Sequence, residues 1–174
     1  MYNKTQHQYP EVKLMKKTLL LFLLLIAVIL HGKENFADAN SINTSKELDK
    51  EKILIEDLFK ARAEIWNKVY DHSSKLEDFE EALKAIEEDP LLTHDLKSIL
   101  DLKQMPTDMD KVLSVVVLDI RDISYGRTSM NATVKINWKM QGKDSYYYEE
   151  IDYYVILVLS EEGRWKLSDY SITQ

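Results

Sequence analysis

A tyrosine-rich tract is the part of the chain whose residue types could bind another molecule. Five tyrosines occur within nine residues, at Tyr146, Tyr147, Tyr148, Tyr153 and Tyr154. Tyrosine joins a broad apolar ring to a polar hydroxyl, so such a row can hold a sugar, a peptide or a protein surface. Tyrosine is also a good strand former on a half-exposed face, so packing within a sheet is the alternative. We treat these five tyrosines as the candidate binding residues.

Acidic side chains in and near this tract could bind a metal ion or form ion pairs. Glu149, Glu150 and Asp152 could offer carboxylates to calcium, but no ligand loop surrounds them, and no metal site is predicted. Further along the predicted sheet, acidic and basic side chains meet at an expected bend, where they could face an interior pocket or form a structural ion pair. These side chains are Asp119, Arg121 and Asp122.

The motifs expected of common enzymes are missing from the sequence. His72 and His94 are not at metal-ligand spacing, and the chain has no cysteine. Four unclustered glycines cannot form the phosphate or dinucleotide loops. We therefore predict no catalytic residue, no metal and no cofactor, and each histidine is expected to be exposed or capping, with a catalytic base as the alternative.

The charge balance restricts the classes of partner. Residues 1–39 hold 5 of the 23 basic and 3 of the 30 acidic side chains, so residues 40–174 carry 18 and 27, a net charge of −9. Such a surface repels phosphate backbones and anionic lipid headgroups. Nucleic acid is excluded as a partner, and a membrane is expected to be contacted only through the N-terminal segment.

The N-terminal segment has the pattern of an export signal. Thirteen uncharged residues, 18–30, follow Lys16 and Lys17, and Ala37 and Ala39 give a cleavage pattern before Asn40. The run is short for a membrane span, although a retained anchor is the alternative. Translation could also begin at Met15. We expect residues 1–39 to be a signal peptide or anchor, residues 40–45 a tether and residues 46–174 one domain outside the cytoplasm.

Four apolar-rich runs between Val112 and Ile172 predict an antiparallel meander. In the second run, apolar residues from Thr128 to Met140 alternate with polar ones, which is typical of a strand with one face on a core. The third run has apolar residues on both faces and is expected to be central and covered on both sides. The first run changes parity near Arg121, which predicts a bulge there, and the fourth changes parity at Tyr170. The core face of the first strand is predicted as Val112, Ser114, Val116, Leu118 and Ile120.

Three helices are predicted before the sheet. Helix one is expected to start at a capping box formed by Thr44 and Glu47 and to run to about Tyr70. Helix two starts at the Ser74 and Glu77 box and ends at residues 87–89, because Pro90 cannot continue it. Helix three follows from Pro90 to about Leu102. Its inward residues are predicted as Leu92, Leu96, Ile99 and Leu100.

The predicted fold class is therefore α+β, with N-terminal helices packed on a strongly curved four-stranded antiparallel sheet that encloses a cone-like hollow. This arrangement, with the final hairpin Glu162–Tyr170, resembles the nuclear transport factor 2-like superfamily. The resemblance implies a cone-shaped domain of the kind shared with ketosteroid isomerases and many secreted bacterial domains. Enzymes of that superfamily place an acid or base in the cone, and no local motif assigns that role to a residue of this chain.

Two functional hypotheses follow from these observations. The first is an exported or anchored, non-catalytic binding domain of the bacterial cell envelope, of which an inhibitor or immunity protein is one form. Its partner would be a protein, a peptide or a small apolar ligand. A second copy of the chain, bound through the sheet, is a further possible partner. The second is a small isomerase- or dehydratase-like enzyme that uses an acid or base in the cone. A filled cone would favour the first, whereas an open pocket with a shifted carboxyl pKa would favour the second.

Overall fold

The computed structural model describes residues 48–69, 71, 74–105 and 109–173. The predicted signal or anchor segment, the tether and the Thr44 capping box lie outside these residues. Among the helices of the described ranges, none combines the length and the apolar character that a membrane crossing requires.

The described chain is an α+β domain, which confirms the predicted class. Its first helix, α1, spans residues 48–66, and two further helices precede the sheet. The sheet has four antiparallel strands in the order β1-β2-β3-β4, so each strand pairs with the next along the chain. The bounds of the other elements are α2 Leu76–Lys84, α3 Leu91–Gln104, β1 Lys111–Tyr125, β2 Ser129–Gln141, β3 Tyr146–Leu159 and β4 Trp165–Ile172.

Strand β2 shows the predicted alternation. Every second residue from Met130 to Ile136 is buried, and the intervening polar residues are half-buried. We call the side that carries these buried residues the inner face, because α1 packs against it, and the opposite side the outer face. Since directly paired residues of neighbouring strands share a face, the β2 register fixes the face of each β3 side chain.

Two apolar clusters hold the helices in place. Helix α1 contributes Ile55, Leu58 and Phe59 to the larger cluster, which lies on the inner face of the sheet. Ile65 joins a smaller cluster with residues of α2 and α3, such as Leu83. The longest helix therefore bridges the sheet and the other two helices, as its amphipathic pattern predicts.

The predicted core face of β1 is correct at Val112 and Ile120, which pack against the larger cluster, and wrong between them. Val115 and Val117 are buried, whereas Val116 and Leu118 are 43% and 41% exposed. The pairing with β2 shifts register between Val112 and Ser114 and again between Val117 and Asp119, and each extra residue moves the following side chains to the other face. The predicted bulge near Arg121 is confirmed by a third shift, where Asp122 has a φ of 54°.

Strands β3 and β4 follow the predictions in part. β3 is an interior strand, as predicted, but its outer face belongs to neither apolar cluster, and Tyr154 there is 40% exposed. The covering of β3 on both sides is therefore not observed. The parity change in β4 is confirmed by a bulge opposite Ile156 and Leu157. Gly163, with a φ of 75°, closes the β3–β4 hairpin as predicted.

The ends of α2 and α3 differ from the prediction. The backbone N–H of Lys75 donates to Asp78 at 2.9 Å, so α2 starts one residue after the predicted Ser74 box. It ends at Lys84, because the next residues pair with β4: the N–H of Leu167 donates to the carbonyl of Ile86 at 2.9 Å. In α3, Leu100 was predicted inward but is 40% exposed. The side chains that α3 buries are Leu91, Asp95 and Ile99.

Side chains of α1 and of the turn that follows it cover the free edge of β1. The Asn67 amide exchanges two hydrogen bonds with Val112, donating to its carbonyl at 2.7 Å and accepting from its N–H at 3.0 Å. Glu56 accepts from the N–H of Val117 at 2.8 Å, and Lys52 donates to the carbonyl of Leu118 at 3.1 Å. These bonds satisfy edge groups that could otherwise pair with another strand.

Candidate functional site

A buried ion pair joins α1 to α3. The Arg62 guanidinium donates through Nε to Asp95 Oδ2 at 2.8 Å and through Nη2 to Asp95 Oδ1 at 2.9 Å. The indole Nε1 of Trp66 donates to the same carboxylate at 2.8 Å. Asp95 is only 1% exposed, so its charge depends on these three donors.

A second carboxyl group lies against the same guanidinium. Glu87 is fully buried, with Oε1 at 3.2 Å from Arg62 Nε. Within the described part of the chain, neither oxygen of Glu87 receives an aligned hydrogen bond, since the Nε hydrogen is directed at Asp95. Burial, followed by the charge of Asp95, raises the pKa of Glu87 to about 8 against the opposing effect of Arg62. At neutral pH this group is therefore mostly a neutral acid.

Aromatic rings fill the space between α1 and the sheet. The Arg62 guanidinium carbon lies 5.3 Å from the ring of Trp66 and 5.1 Å from that of Tyr170. Phe59 contacts the rings of Trp138, Tyr153 and Tyr170, with centroid distances between 5.4 and 6.0 Å. The interior where the sequence predicts a hollow is thus occupied by side chains.

A surface cavity of about 400 Å³ opens beside this cluster, with Trp66 and Tyr170 in its lining. Asp95 also lines it, but this carboxylate is already held by Arg62 and Trp66. Glu87 is not in the lining. A ligand in the cavity would therefore meet aromatic rings and a neutralised carboxylate, together with the exposed side chains of His94 and Asp169.

This cluster is not among the site residues that the sequence predicts. Its signal was present in α3, where Asp95 stands four residues from both Leu91 and Ile99 and so shares their buried face. Arg62 likewise stands four residues before Trp66 on α1. Glu87 could not be found this way, because it was assigned to the end of a helix rather than to a segment that pairs with β4.

The structure places the candidate tyrosines on two different faces. On the outer face, Tyr146 and Tyr148 are 58% and 60% exposed, and their rings lie edge to face at 6.2 Å. The ammonium of Lys139, on the neighbouring strand, lies 4.6 Å from the Tyr146 ring and 5.7 Å from the Tyr148 ring. Tyr154, paired with Thr133, is on the same face further along β3.

The other two candidate tyrosines are on the inner face. Tyr153 is only 7% exposed and packs on Phe59 and Trp138, and burial raises its pKa to about 12. Tyr147 donates its hydroxyl to Asp110 at 2.7 Å, and this bond is the main reason that its pKa is raised. The structural interpretation therefore holds for Tyr153, whereas Tyr146, Tyr148 and Tyr154 present their rings outward.

The acidic candidates do not converge on one site. Arg121 pairs with Asp152 at 2.6 Å on the outer face, so the predicted structural ion pair has a β3 partner. Asp119 and Asp122 are exposed. Lys135 lies 3.7 Å from the other oxygen of Asp152. Among the described residues, no group of three or more potential ligands is placed to hold a metal ion.

The histidines contribute little to these sites. The side chain of His94 is 78% exposed at the mouth of the cavity, 3.7 Å from Asp95, as expected for a surface histidine. His72 lies outside the described residues.

Comparison with known proteins gives a distant structural similarity only. No family model matches the chain, and no match is found among curated proteins. Among solved structures, the intermembrane space region of the chloroplast protein ARC6 is similar, with 14% sequence identity and a TM-score of 0.44. The similarity covers 70% of this chain and 95% of that one. At this level it supports no inference about family or function.

Proposed function

We propose that the protein is an exported or membrane-anchored, non-catalytic binding domain of the bacterial cell envelope, which holds a protein partner on its outer sheet face. The observation that carries this proposal is the exposure of Tyr146 and Tyr148, 58% and 60%, side by side with Lys139. Large rings left in water on a broad face are typical of surfaces that become covered.

The composition of the outer face favours a folded protein as the partner. Its tyrosines offer rigid rings with polar tips, and the β2 side chains beside them are polar. Tyrosine is enriched at the energetically important centres of interfaces. A nucleic acid is disfavoured because the chain carries a net charge of −7.

The filled interior supports a binding function over catalysis. Phe59, Trp138 and Tyr153 occupy most of the space between α1 and the sheet, and the cavity that remains beside Trp138 is small, about 180 Å³. We propose that the sheet is strongly curved and that the fold is a nuclear transport factor 2-like cone whose hollow is closed in this chain. Three register shifts in β1 and one in β4 support the curvature, because each bulge bends its strand.

The location outside the cytoplasm is part of the same proposal. It is supported by the lysine pair, the apolar run 18–30 and the two alanines that precede Asn40 in the sequence. An inhibitor or immunity protein would use such a face against a protein in the envelope. A cleaved signal and a retained anchor both leave the outer face available.

A photo-crosslinking amino acid placed at Tyr148 in the full chain tests the proposal in cells. We expect a crosslinked species of defined mass, which the additional substitution Tyr146→Ala weakens by about tenfold, the effect of losing one anchor residue. The same probe at Ile53, a 60% exposed apolar residue of α1, is the matched control and should give no such species. Equal crosslinking from both positions would contradict a binding role for the outer face.

The alternative, an acid–base enzyme, is favoured by one observation, the raised pKa of the Glu87 carboxyl beside a 400 Å³ cavity. For proton transfer, Glu87 would have to become accessible, because its side chain is fully buried. If Glu87→Gln abolished a measured isomerase or dehydratase activity without changing the fold, the enzyme hypothesis would replace the binding one.

A further inference from the structure

On the two central strands, the charged side chains of the outer face are segregated by strand. On β2 they are both basic, Lys135 and Lys139, and on β3 they are both acidic, Glu150 and Asp152. The two strands are paired in register over 13 positions, so a basic strip lies directly beside an acidic one. The four charges cancel, although the chain as a whole is acidic.

From this pattern we infer that the outer face binds a second copy of the chain, with β2 of each copy lying over β3 of the other. The inference rests on the proposed function and names the partner. The two-fold axis would lie in the interface, parallel to the strands and above the line midway between β2 and β3. It would place β2 of one copy over β3 of the other and keep each residue at the same position along the strand direction. Such an isologous interface requires a face that is complementary to itself, which the segregated charges provide.

The register fixes which side chains would meet. Lys135 is paired with Asp152 within one copy, so the axis places each Lys135 against the partner's Asp152 as well. By the same rule, Asn137 of one copy meets Glu150 of the other, and Lys139 of one copy meets the ring of Tyr148 of the other. The last contact is a cation–π interaction like the one that Lys139 already makes within its own copy, at 5.7 Å.

The charge of the face suits such a dimer. The two strands that would meet are paired over 13 positions. With about 3.3 Å per residue and about 4.8 Å between strands, they give a contact of roughly 400 Å² per copy, the size of a weak interface. Two copies with a net charge of −7 repel one another in general, so a charge-balanced face is where they can approach closely.

A charge exchange between the strips tests the inference. In the full chain, Lys135→Glu with Lys139→Glu makes both strips acidic, and Glu150→Lys with Asp152→Lys makes both basic. Each variant alone should dimerise at least about tenfold more weakly than the wild type, because like charges then face one another. Mixing the two should restore association, since every basic strip again faces an acidic one. Sedimentation across a concentration series measures both effects.

Asp152 also pairs with Arg121, so its replacement could disturb the fold. Arg121→Gln breaks the same pair from β1, outside both strips, and is the control: it should leave dimerisation unchanged. A wild type that remains monomeric up to about 1 mM, or variants that do not restore each other, would overturn the dimer. A crosslink from position 148 to a different protein would then still support the proposed function. If neither dimerisation nor a crosslink were observed, both the dimer and the proposed function would be contradicted.

Discussion

Arg62 and Asp95 form a two-point ion pair although 33 residues separate them in the sequence, with Nε to Oδ2 at 2.8 Å and Nη2 to Oδ1 at 2.9 Å. The pair joins α1 to α3, and Glu87 contacts the same guanidinium from the segment that pairs with β4. One cation therefore connects three parts of the domain, and its contacts with a carboxylate and a second carboxyl group decide how stability responds to mutation and to pH.

Arg62→Met should destabilise the domain by about 3–5 kcal/mol, because it leaves the buried Asp95 carboxylate without a cation. Asp95→Asn should cost less, since Glu87 can then ionise and pair with Arg62. Denaturant unfolding measures both free energies. Lys60→Met, which removes an exposed ion pair on the same helix, is the control and should cause no measurable change. A loss for Asp95→Asn as large as that for Arg62→Met would contradict the exchange of charge between the two carboxyl groups.

The free energy of unfolding should fall as the pH rises from about 5 to about 8, through the titration of Glu87. Its pKa is raised from 4.5 to about 8 by burial and by Asp95, so between these values the folded state binds more protons than the unfolded state. Stability from this proton is complete below pH 4.5 and is lost as the pH passes the folded pKa, at up to about 1.4 kcal/mol per pH unit.

Glu87→Gln isolates this effect, because glutamine cannot ionise and keeps the shape of the neutral acid. The difference in unfolding free energy between wild type and variant should favour the variant increasingly between pH 5 and 8 and then level off. Asp95 and Arg62 are the charged groups that face Glu87, and both remain in the variant. Parallel pH profiles for the two proteins would show that Glu87 ionises normally.

The sequence was sufficient to predict elements with a clear alternation of apolar and polar residues, or with a glycine at a turn. β2 was predicted within one residue at each end, because its apolar residues fall at every second position. The turn at Gly163 was predicted because glycine tolerates the positive φ that it adopts. These features depend on local geometry, which one strand or one turn determines by itself.

The face of β1 and the Arg62 cluster could not be obtained in the same way. In residues 112–120, apolar side chains stand at both odd and even positions, so their alternation does not define a buried face. Only the pairing with β2 decides that Val115 and Val117 are buried. Glu87 is brought to Arg62 by a single bridge to Leu167, a contact between segments 80 residues apart. Tertiary pairing of this kind leaves no periodic trace in the sequence.

Substitution of an outer and an inner tyrosine should separate binding from packing. Tyr153→Ala removes a buried ring that contacts Phe59, Trp138 and Tyr170 and should cost about 3–5 kcal/mol. Tyr148→Ala removes an exposed ring and should change the unfolding free energy by at most about 0.5 kcal/mol. Thermal and denaturant unfolding of both variants checks this. Comparable losses at the two positions would mean that the outer face is also part of the core.

Asn67→Ala should destabilise the edge of β1 by about 1–3 kcal/mol, because it leaves the N–H and carbonyl of the half-buried Val112 without partners. Asn67→Asp is the matched control, since a carboxylate can accept from the Val112 N–H but cannot donate to its carbonyl. It should therefore recover only part of the loss, and amide hydrogen exchange should show faster opening at Val112 in the alanine variant than in the aspartate variant. Equal exchange in all three proteins would show that the Asn67 amide does not hold this end of β1.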